Sequence, residues 1–180
     1  MKRTITEDIL TWSKTFVEKP SDDLEGLPVC PFAKKTREED KLKIVEVKQS
    51  KDFLNEVVDQ AKQFGRYDVV IVACDDLFIT ADELNDYIHA LNKVFVQEDV
   101  YLIASYPDDE VVDFLESDEF EPDNEFYMVL IQSYQKLEDG SSSLRKTNYY
   151  EHWSNDYYKD TVLVRQQYGD IHGKRNEEKK

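Results

Sequence analysis

Apolar residues recur along this chain at two periods, and the switch between them marks the elements. Ile5, Ile9, Trp12 and Phe16 are spaced by four, three and four, which is one face of a helix. Thr4 and Glu7 form a capping box ahead of it, and Pro20 stops it. Residues 42–47 (LKIVEV) alternate, and their β-branched content predicts a first strand. Ser50 then caps a second helix with Phe53, Leu54, Val57, Val58, Ala61 and Phe64 on one stripe, and Gly65 stands just past its end. Residues 68–74 (DVVIVAC) are apolar on both faces, the habit of a strand buried in a parallel sheet. Thr80 and Glu83 repeat the capping box ahead of the stripe Leu84, Ile88, Leu91 and Phe95. Residues 100–106 (VYLIASY) read as a third strand, stopped by Pro107.

Strand, helix, strand, helix, strand predicts βαβ units. The expected fold is therefore a single α/β domain: a βαβαβ core with a mostly parallel sheet and an N-terminal helix in front of it. The rest is less regular. Residues 109–115 read as a short helix and 116–124 as an acidic loop. Residues 126–137 alternate around Tyr127, Val129 and Ile131 as a long strand. Asp139-Gly140 is a turn dipeptide, so residues 143–148 are expected to pair back as an antiparallel edge strand. Residues 149–168 are rich in tyrosine and read as helical in their second half. The domain spans residues 1–172, and the charged tail 173–180 is expected to be disordered. There is no internal repeat and no Pro-, Gly- or Ser-rich linker.

Composition narrows the function. A chain of 180 residues with 40% hydrophobic residues, including 11 Tyr and 9 Phe, has material for one real core. Its 39 Asp and Glu against 23 Lys and Arg give a net charge of −16. Such a surface does not grip nucleic-acid phosphates or an anionic membrane, but it suits a basic protein partner or divalent cations. No apolar run is long enough to span a bilayer, and MKRTITEDILTW lacks the apolar stretch of a secretory signal. Cys30 and Cys74 are thus expected to be reduced, in the cytoplasm.

One stretch is out of character: residues 24–35, LEGLPVCPFAKK. Proline favours the first position of a helix, and the residue before proline is pushed to the extended backbone of an N-cap. This predicts a helix starting at Pro31 with Cys30 as its N-cap and the sulfur over open N–H groups. Helix dipole and cations (Lys34, Lys35, Arg37) would then acidify the thiol. On this reading Cys30 is the catalytic residue, and Pro31, Phe32, Lys34, Lys35 and Arg37 bind an anionic substrate. The local chemistry resembles the glutaredoxin-like CPxC motif, but Ala33 stands where the second cysteine would be, which excludes a dithiol mechanism there. A thioredoxin-type fold also needs a strand just before the motif. The alternative is that Cys30 is a packing atom and the prolines shape a tight loop. Cys74, at the end of a buried strand, reads as core.

The chain also resembles a small bacterial family of unknown function with a Leu-Cys-Pro-Phe-Ala signature. The matching residues are Trp12, Cys30, Pro31, Phe32, Ala33 and Lys34, with Asn85 and the strand end Ala104-Ser105-Tyr106-Pro107 as weaker matches. Tyr106 replaces the Phe-His of that family's similar segment, so no histidine serves there. The resemblance covers the first two-thirds of the chain and implies fold and site location only.

Carboxylates give another reading. In open α/β sheets, sites gather beyond the carboxyl ends of the strands. Asp75 and Asp76 follow one strand, and Asp108, Asp109 and Glu110 follow another. If those strands are neighbours, the rim could hold Mg²⁺ for phosphohydrolase chemistry. With 39 acids in the chain, such pairs also arise by chance. Only five glycines are present, none in a phosphate-binding loop, and His89, His152 and His172 have no metal spacing, so no cofactor or resident metal is expected. His152 and Trp153 lie in an aromatic cluster that could stack on a flat ligand or cover the core. The third class is an acidic interaction module, or a nucleic-acid mimic, binding a basic partner. The acids concentrate in loops 22–25 and 116–125, which favours solvation over mimicry.

Overall fold

A computed structural model of the chain describes residues 3–107 and 126–174. Helix α1 (Ile5–Trp12) starts as its capping box predicts: the Thr4 hydroxyl accepts the Glu7 N–H, and the Glu7 carboxylate accepts the Thr4 N–H at 2.9 Å. It continues as a wider π-turn through Ser13–Val17. There follow α2 (Ala33–Glu38), β1 (Leu42–Glu46), α3 (Phe53–Lys62), β2 (Val69–Cys74), α4 (Ala81–Phe95) and β3 (Val100–Ser105). The Thr80–Glu83 box caps α4 as expected. Beyond them lie β4 (Tyr127–Ser133), α5 (Tyr134–Leu144) and two short helices, α6 (Asn155–Tyr158) and α7 (Val164–Gln166).

A single α/β domain forms, but its sheet is not mostly parallel. The strand order is β1-β2-β4-β3, with β1 and β2 parallel and β4 antiparallel to both β2 and β3. β4 therefore separates the two strands that the βαβ reading made neighbours. The reason lies in its side chains. Met128, Val129 and Ile131 are all buried, so β4 is apolar on both faces and suits the middle of a sheet.

The expected hairpin after β4 is also replaced. Ser133 accepts the Lys136 N–H at 3.1 Å and starts α5, which carries the chain through Asp139-Gly140 without a turn. Gly140 serves packing: a Cβ there would come within 3.1 Å of the Phe32 ring. Residues 143–148 form no strand.

Strand periodicity sorts the core into two layers. Val70, Val72, Val129, Ile131 and Leu102 face Phe53 and Val57 of α3 and Leu84 and Ile88 of α4. Ile71, Ala73 and Met128 face Ile5 and Ile9 of α1. On that second face β3 presents Tyr101 to Val96, Tyr134 and Tyr168. The β3 edge is plugged by a side chain. Buried Asn92 of α4 donates to the Leu102 carbonyl at 2.9 Å and accepts the Leu102 N–H at 2.8 Å, as a further strand would.

Candidate functional site

The CPFA segment lies against the end of the first helix. The Cys30 N–H donates to the Val17 carbonyl at 3.0 Å, and the Tyr149 hydroxyl donates to the Val29 carbonyl. These tertiary bonds hold the backbone at residues 29–30 from both sides and delay the helix. The Cys30 carbonyl accepts the Ala33 N–H at 3.2 Å, the N-cap of α2 is Phe32, and the helix begins at Ala33. The expectation of Cys30 as N-cap of a helix starting at Pro31 is thus corrected: Cys30 sits in the bend before a six-residue helix.

Its electrostatics follow from that seat. Burial is the largest influence on Cys30 and pushes its thiol pKa up. The backbone N–H groups of Phe32 and Ala33 reach the sulfur and favour the thiolate, but they do not outweigh burial, and the nearby Glu18 carboxylate adds to the rise. The cations do not correct this. Arg37 is gripped by Glu18 through both teeth, Nε to Oε1 at 2.8 Å and Nη2 to Oε2 at 2.8 Å. Ser13 Oγ donates to the same Oε1 at 2.8 Å. These contacts, Arg37 foremost, hold the buried Glu18 carboxyl below the usual carboxylate range. Lys35 comes only within 3.8 Å of Glu39, and Lys34 is exposed. Pro31 is half-buried, and Phe32 is half exposed with its ring on Gly140.

The aromatic cluster of residues 149–158 covers this loop. Tyr149, Tyr150, Trp153 and Tyr157 pack with Leu24, Leu27 and Val29. Their rings meet one another at centroid distances such as 4.9 Å for Tyr150–Trp153 and 5.0 Å for Trp153–Tyr157. They cover the core rather than line an open slot. His152 Nε2 lies 3.5 Å from a Glu25 oxygen.

The strand-end carboxylates are arranged differently from expectation. β2 and β3 run in the same direction but are not neighbours. Asp75 and Asp76 are exposed, while Asp108, Asp109 and Glu110 lie outside the described residues. Among the described residues, no group of three His, Cys, Asp or Glu could hold a metal ion. Cys74 donates its S–H to the Asp76 carbonyl at 3.1 Å, and burial pushes its thiol up to about 11. The feature missed at this rim is Phe78. Leu77 is 6% exposed and Phe78 is 66% exposed, so the first residue of the pair anchors the loop and the second stands in solvent. An apolar pair directly after two aspartates is the signal in the sequence.

Among the described residues, no helix is long and apolar enough to cross a membrane. Comparison of the chain with family models, with curated proteins and with solved structures finds no match.

Proposed function

We propose that the protein is a non-catalytic interaction module that takes a basic protein segment at the carboxyl-end rim of β2. The observation that carries this reading is Phe78, a large apolar side chain left 66% exposed among carboxylates. Asp75 and Asp76 precede it, and Asp82, Glu83 and Asp86 follow at the start of α4, all of them exposed. A partner with an apolar pocket rimmed by Lys or Arg would bury the ring and meet the acids, while the net charge of −16 would speed encounter at low salt. The raised Cys30 thiol and the Arg37–Glu18 pair favour an architectural role for the CPFA segment over monothiol chemistry. Two free cysteines suit the reducing cytoplasm, where we place the protein.

The test is titration of isotope-labelled protein with a synthetic peptide of alternating Lys and Leu, followed by backbone amide shifts. Saturable shifts are expected at Asp75–Phe78 and Ala81–Asp86. Phe78→Ser should weaken binding about fivefold, the equivalent of ~1 kcal/mol and part of what burying a Phe ring contributes. Equal affinity of Phe78→Ser and the parent, or shifts centred on residues 29–37 instead, would overturn the reading.

A further inference from the structure

The geometry points to a separate site, an oxyanion-binding cleft formed by Lys43, Arg66 and Tyr67 between the end of α3 and the start of β2. The cleft has a volume of about 230 Å³, and Gln60, Gln63 and Val70 are among its walls. It arises because α3 ends at Lys62 and the chain must turn sharply into β2. Gly65 makes that turn at φ +146°, a left-handed value that favours glycine, and a Cβ there would meet nothing within 4 Å.

Two cations lie near one ring that lines the cleft. The Arg66 guanidinium lies 5.4 Å from the Tyr67 ring centroid and Lys43 Nζ lies 5.9 Å from it. Lys43 points to this side because it shares a β1 face with Val45, toward α3. Its ammonium donates to Gln60 Oε1 at 2.8 Å, and Gln60 Nε2 donates to Glu56 at 2.6 Å. That chain fixes the Gln60 amide and uses one of the three Lys43 N–H bonds. Among the described residues, neither Lys43 nor Arg66 has a carboxylate at ion-pair distance, in a chain with 39 Asp and Glu.

Two cations lining one cleft with no carboxylate at ion-pair distance favour an anion there. One ligand oxygen would meet the free N–H bonds of Lys43 and another the Arg66 fork, with the Gln63 amide as a further donor. The end of α3 contributes a partial negative charge of about half a unit, which two full cations outweigh. The volume, below the roughly 300 Å³ at which drug-sized pockets begin, suits a small carboxylate or phosphate. This site lies beside Val70, whereas the Phe78 rim lies beyond Cys74, at the other end of β2.

The experiment uses the full chain and two probes, inorganic phosphate and acetate, each titrated while the backbone amides of Gly65, Arg66 and Tyr67 are followed. A saturable shift with at least one probe is expected, and which probe saturates identifies the oxyanion as phosphate or carboxylate. Lys43→Gln and Arg66→Gln should each weaken that binding at least fivefold. Lys34→Gln, on the exposed face of α2, should leave it unchanged. The proposal fails if neither probe saturates, or if binding survives in the Lys43→Gln/Arg66→Gln double variant while its spectrum shows the native fold.

Discussion

Two regions of this acidic molecule gather cations, and they differ in what has claimed them. The CPFA arm carries Lys34, Lys35 and Arg37 on α2, and the cleft carries Lys43 and Arg66 around Tyr67. In the arm, Arg37 is bound at both teeth by a buried carboxylate, with Ser13 as the third member. In the cleft, both cations lie near the Tyr67 ring, Lys43 also donates to the Gln60 amide, and neither meets a carboxylate among the described residues. Residue type alone does not separate a structural arginine from a binding one. The presence of a desolvated partner does, because a buried carboxylate cannot stay charged without its counter-charge.

The largest effect that would break this contrast is on stability. Glu18→Gln should cost about 2–3 kcal/mol in urea unfolding, less than the roughly 3–5 kcal/mol of a fully buried pair because the Arg37 side chain is 22% exposed. A cost below about 0.5 kcal/mol would mean that Arg37 is free to bind a ligand. The same variant carries a pH signature. The Glu18 pKa is lowered in the folded state, so its stabilisation is present above the unfolded value of about 4.3 and is lost as pH falls through the lower folded value. The stability gap between the parent and Glu18→Gln should therefore close in acid and stay constant near neutrality.

A kinetic effect comes next. At about pH 7.5, iodoacetamide should alkylate Cys30 more slowly than a free thiol, with the rate climbing only at more alkaline pH. Cys74→Ser assigns the signal. Alkylation faster than a free thiol would restore Cys30 as a prepared nucleophile and move the search for substrates back to the arm. The smallest effect belongs to Lys34→Gln and Lys35→Gln. Each should change stability by no more than about 0.5 kcal/mol, as exposed side chains with at most a loose ion pair do.

Much of the local structure is legible in the residues. Both capping boxes work as written, because a hydroxyl and a carboxylate three positions apart each accept the other residue's backbone N–H without help from the rest of the chain. β2 and the stripe on α4 follow from periodicity alone. The CPFA segment is harder. Cys-Pro is a fair helix-start signal, yet Val17 and Tyr149 hold the segment elsewhere, one 13 positions before Cys30 and the other 120 positions after Val29. Arg37 reads as available because its partner Glu18 is 19 positions away. Asp139-Gly140 reads as a turn because nothing in its neighbours shows that a glycine is needed under Phe32. The rim and the cleft have the same difficulty: Phe78 and Arg66 are ordinary residues until their exposure and neighbours are known.

By itself, the sequence determined the α/β class, the positions of β1, β2, β3, α3 and α4, and the acidic surface. Those depend on interactions within a few residues or on composition. The tertiary structure alone decided that β4 lies between β2 and β3, that Asn92 closes the β3 edge, that Arg37 is held and that Lys43 and Arg66 are left together. Each of these is a choice among partners distant in sequence. It is settled by which apolar faces can be buried together and which buried polar groups then find a complement, and neither is written in the spacing of residues along the chain.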